Sequence, residues 1–142
     1  MARPALRELL ALLAIPGKLE LGPHGTALLD ELVMAARADH HLSVIILAAA
    51  LVDIIAHEGA EMDFSDSSFD DAPEQGYGLS MLRAGERRAL DQLRAMRNRI
   101  LHYQGMGEGL LGTQVADKSY LADQADAAIT ALLPVLELQE SY

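Results

Sequence analysis

Apolar residues recur at steps of three and four along most of this chain, the period of helices that bury one face. The spacing predicts a short helix over residues 5–15, after which Pro16-Gly17 and Gly22-Pro23-His24-Gly25 punctuate a loop. A second helix is expected from Thr26, read as its N-cap, to about Ala38, with Leu28, Leu29, Leu32, Val33 and Ala36 on one face. Asp39-His40-His41 marks its end. Residues 42–57 are apolar nearly all round, interrupted only by Asp53, so this third helix belongs in the middle of the fold.

From Glu58 to Gly78 the periodicity gives way to Asp, Ser, Glu and Gly, which reads as a long loop. A fourth helix is expected from Ser80 to about Tyr103, with Leu82, Leu90, Leu93, Met96, Ile100 and Leu101 pointing inward and Gly105, Gly107 and Gly109 ending it. The last helix covers roughly 116–139 through Leu121, Ala125, Ile129, Leu132, Leu133 and Leu136, with Pro134 expected to kink it. The pattern predicts an all-α, up-and-down bundle of four to five helices, in one domain over residues 1–142.

Composition narrows the function classes. With 51% hydrophobic residues, mostly Leu, Ala, Ile and Met, the 142-residue chain can bury a sizeable core and favours helix. It has no cysteine, which removes a disulfide framework, a thiolate zinc site and a cysteine nucleophile together. Arg3 and Arg7 precede the apolar run Leu9 to Ile15, but Glu8 interrupts it and no small-residue cleavage pattern follows, so it is read as a helix and not a signal peptide. Asp53 closes the longest apolar stretch, Val44 to Val52, well short of a membrane span, which needs about 20 residues. A soluble, cytoplasmic protein with no membrane contact is expected.

The formal net charge of -10 argues against chain-wide attraction to nucleic acid, but the charges are unevenly placed. Arg83, Arg87, Arg88, Arg94, Arg97 and Arg99 account for six of the eleven Lys and Arg residues, while acidic residues gather between Glu58 and Glu74. A basic helix beside an acidic loop can still bind RNA locally. On an ideal helix Arg97 lies about 40° from Leu93, inside the apolar sector. A guanidinium there calls for a subunit interface, a functional site or a carboxylate partner such as Asp53. His102 lies about 140° round and about 7.5 Å further along the axis than Arg97, on the face of Asn98 and Arg99.

The segment Arg97-Asn98-Arg99-Ile100-Leu101-His102 resembles the signature of the HEPN superfamily: an Arg, a polar residue that is commonly Asn, three further residues and a His near the end of a long helix. The likeness extends loosely to the whole chain, since that family forms a bundle of four or five helices with the motif in a late one. It implies a metal-independent endoribonuclease, without cofactor or metal, whose cleft forms where the motifs of two subunits face each other. In that reading His102 handles a proton, Arg97 meets phosphorane charge and Asn98 orients the phosphate or the His. Arg94, Arg99 and Tyr103 would contact RNA. The expected partners are an RNA substrate, a second copy of the chain, and an antitoxin or other protein.

Toxin members commonly carry a Tyr two residues after the His, whereas here Tyr103 follows His102 directly and Gln104 takes that place. A non-catalytic, protein-binding member of the same family is the alternative. Against both stands the reading without any such motif, in which His102 sits at a helix end favoured by the dipole and Arg97 holds a structural carboxylate. A third possibility is a Mg²⁺-dependent all-α nucleotide pyrophosphohydrolase using Glu58, Glu61, Asp63, Asp66, Asp70 and Asp71, but these residues fall mostly in the loop and do not follow EF-hand spacing. His57-Glu58-Gly59-Ala60-Glu61 has Glu61 where a zincin needs its second His. His40 and His41 are adjacent and would diverge on a helix, and Gly105-x-Gly107-x-Gly109 follows a helix and not the strand of a dinucleotide loop.

Overall fold

The computed structural model describes residues 3–62, 82–101 and 112–139. These form an all-α bundle of six helices: α1 (Pro4–Leu13), α2 (Pro23–Arg37), α3 (His41–Met62), α4 (Ala84–Leu101), α5 (Gly112–Ala116) and α6 (Lys118–Glu137). Among the described residues no helix is long and apolar enough to cross a membrane.

The nearly uniform apolarity of α3 has the expected consequence. It packs against α2, α4 and α6 at once, and Val44, Ile45, Ala48, Leu51, Val52, Ile55 and Ala56 are buried. The second central helix is α6, which meets α1, α3, α4 and α5 and buries all six of the residues predicted to face inward. α2 and α3 form an antiparallel hairpin over the short connection 38–40, where Asp39 takes a left-handed φ of 58°. Asp is one of the few non-glycine residues that adopts this conformation at modest cost. α2 packs on α3 near Gly25, where a Cβ would sit in ordinary van der Waals contact with Leu51 Cδ1 at 3.5 Å and Leu21 Cβ at 3.4 Å. α1 runs alongside α6, tied by Arg3 Nη1 to Asp123 Oδ1 at 2.9 Å near one end, while Glu20 N donates to Gln139 O at 2.8 Å near the other.

Several boundaries differ from the sequence reading. α2 begins at Pro23 with Gly22 as N-cap, because Pro at the first helical position has its φ preset and lacks only an N–H that would be unsatisfied anyway. Thr26 therefore sits inside the first turn, and its Oγ1 donates back to Leu21 O at 3.4 Å. α3 continues to Met62, through a segment read as loop, since Glu, Ala and Met sustain a helix and a single Gly costs only about 1 kcal/mol. α4 begins at Ala84, where Glu86 Oε1 accepts from Arg83 N at 2.8 Å, one half of a capping box. The last predicted helix divides at Asp117, whose side chain accepts from Tyr120 N, and α5 precedes it as a single turn. α6 then runs on through Pro134 to Glu137.

Candidate functional site

The basic helix α4 is positioned by Leu90 and Leu93, which are buried, and by Met96 and Ile100, which pack against the core from its edge. Leu101, expected to face inward, is 56% exposed. It lies about 80° from Leu93, at the margin of the apolar face, in the last residue of α4.

Arg97 projects from the same side of α4 into the crevice with α3, which is lined by Ala49, Val52, Asp53, Leu90, Leu93 and Arg94. Its Nη1 donates to Asp53 Oδ2 at 2.8 Å, with the two side chains 21% and 30% exposed. Asp53, the charge that interrupts the apolar run 42–57 of α3, thus meets an Arg inside the apolar sector of α4, as their mutual need for compensation requires. Asn98 holds the other edge of the guanidinium: its Oδ1 accepts from Arg97 Nε at 3.3 Å and from Nη2 at 3.0 Å. Among the described residues Arg97 therefore spends three of its five N–H donors, fixed in orientation by partners on two helices.

Arg99, predicted to contact RNA, is half-buried, and its Nη2 donates to Gln114 Oε1 at 3.3 Å, which ties the end of α4 to α5. Sequence reasoning missed this tether because a five-residue helix carries no period to detect. Arg94 lines the Asp53–Arg97 crevice and is half-buried. His102 and Tyr103 lie outside the described residues.

Of the acidic residues proposed as a metal cluster, Glu58 and Glu61 fall on the last turns of α3, while Asp63, Asp66, Asp70 and Asp71 lie outside the described residues. Among the described residues no group of three or more His, Cys, Asp or Glu is placed to hold a metal ion. His40 precedes α3 and His41 opens it.

What the site offers chemically is an oriented, partly exposed cation with a neutral amide beside it, at the C-terminal part of a long helix. Comparison with protein-family models, with curated proteins and with solved structures returned no match.

Proposed function

We propose that the chain is a HEPN-like domain that cleaves RNA without a metal ion, as a homodimer, through Arg97, Asn98 and His102. The observation that carries this reading is the state of Arg97. A purely structural Arg would be expected to spend its fork on the carboxylate. Here Asp53 takes one donor and Asn98 takes two, which leaves two without a partner among the described residues and available to phosphate oxygens. The position of the motif, late in the long helix α4 and followed by the amphipathic α6, supports the same reading.

In the proposed reaction the ribose 2′-oxygen attacks the adjacent phosphorus while the bond to the 5′-oxygen breaks, which leaves a cyclic phosphate and a 5′-hydroxyl. His102 takes the 2′-hydroxyl proton or returns one to the leaving oxygen, and Arg97 balances charge on the equatorial oxygens. Asn98, already bonded to Arg97, keeps the guanidinium in plane. Arg97 and His102 lie about 140° apart on an ideal helix, so a second subunit or a distorted helix end has to bring the two groups to one phosphate. Incubating purified protein with RNA in EDTA tests the proposal. Cleavage that disappears in a folded His102→Ala variant supports it, and cleavage that persists in that variant overturns it.

A second reading is a non-catalytic interaction module of the same family. It is favoured by the exposed apolar residues Leu101 and Val115, 56% and 45% accessible, on α4 and α5. RNA left intact by the wild-type protein, together with a stable protein partner bound through these residues, would favour it.

A further inference from the structure

A second concavity lies away from α4, where α1, the α2–α3 connection and α6 converge. Its volume is about 340 Å³, at the small end of the range for small-molecule sites. Its floor is apolar: Leu6, Val44 and Ile129 are buried core residues, and Leu10 packs beside them. Charged side chains stand around this floor, Arg3, Arg37, Asp39 and Asp126, and two of them bear on what the cavity can hold.

The first is Asp126, on α6. Its Oδ1 is shut off from solvent and has no hydrogen-bond partner among the described residues. The side chain as a whole is half-buried, so its carboxylate places a negative charge at the cavity wall. The second is Arg37, exposed in the last turn of α2, which forms no ion pair among the described residues. Arg3, by contrast, is already paired with Asp123. The cavity thus combines an apolar floor with a half-buried anion, Asp126, on one wall and an exposed cation, Arg37, on another, with Asp39 two residues beyond Arg37.

We infer that this cavity binds a small zwitterion with an apolar body, of which a bulky apolar amino acid is the simplest case. The ammonium group lies toward Asp126, the acidic group toward Arg37, and the apolar body over Leu6, Val44 and Ile129. The enclosing elements are α1, α2, α3 and α6, so occupancy would brace the hairpin against α6 without touching the α4 motif.

The test uses the full chain with phenylalanine as probe, and with phenethylamine and 3-phenylpropionate as the two half-charged controls. Titration followed by methyl NMR is expected to shift the resonances of Leu6, Val44 and Ile129, with phenylalanine binding more tightly than either control. Asp126→Asn is expected to weaken phenylalanine and phenethylamine binding by roughly tenfold while leaving 3-phenylpropionate little changed, and Arg37→Gln is expected to do the converse. Ala122→Trp, at the cavity wall, is expected to abolish binding in a protein that still melts cooperatively. Absence of any methyl shift with millimolar phenylalanine would overturn the proposal. So would binding that is indifferent to Asp126→Asn and to Ala122→Trp.

Discussion

Arg97 of α4 and Asp53 of α3 form an ion pair at 2.8 Å across the crevice between the two helices, with both side chains largely withdrawn from solvent. Each is the misfit of its own helix face, and each makes the other admissible. Removing one partner leaves the other charge partly desolvated and unpaired. Because the pair keeps 21% and 30% exposure, the cost falls below that of a fully buried pair. Asp53→Ala and Arg97→Ala are each expected to lower stability by about 1–2 kcal/mol in urea unfolding, and the double variant by less than the sum. Strict additivity would mean that the contact contributes nothing.

The same pair separates structural from catalytic roles. Arg97→Gln removes the cation, whereas Asp53→Asn keeps it and removes only one of its anchors. If Arg97 meets the phosphate, Arg97→Gln lowers kcat/KM for RNA by at least about 100-fold, and Asp53→Asn by about tenfold or less. Equal losses in the two variants, at matched folding by circular dichroism, would reduce Arg97 to a structural role.

How far the sequence carried this picture depends on the kind of signal. The apolar wrap of α3 and the three- and four-residue spacing of α6 were legible because burial repeats along many turns, and the place of Arg97 on α4 could be computed from helix geometry and matched to Asp53. Short-range chemistry was harder to read. Pro23 competes with Thr26 for the start of α2, Asp117 divides what looked like one helix, and α5 is too short to show a period. Leu101 was misplaced because residues at the edge of an apolar face are buried only when another element reaches them.

Asp117 offers a test of that local chemistry. Its carboxylate accepts from Tyr120 N at 3.0 Å at the start of α6, a helix that contributes nine buried residues. Asp117→Ala is expected to cost about 1 kcal/mol, and Asp117→Asn much less, because Asn caps nearly as well. Thermal unfolding of the two variants measures the difference. Equal losses would assign the effect to the negative charge at the helix N-terminus and not to the cap hydrogen bond.

The proposed composite cleft requires a surface on which two copies meet, and the end of α4 supplies apolar area for it. Leu101 and Val115 are exposed, and the Arg99–Gln114 hydrogen bond fixes α5 to α4, so both belong to one structured region. Burying them between subunits would remove apolar surface from water and place the two motifs near each other. On the proposed reading the wild type is expected to sediment as a dimer and cut RNA, and a Leu101→Asp, Val115→Asp double variant to sediment as a monomer and lose cleavage while keeping its helical signal. Wild-type protein that cuts RNA while sedimenting as a monomer would rule out the shared cleft, and a distorted end of α4 would then have to bring Arg97 and His102 together within one chain.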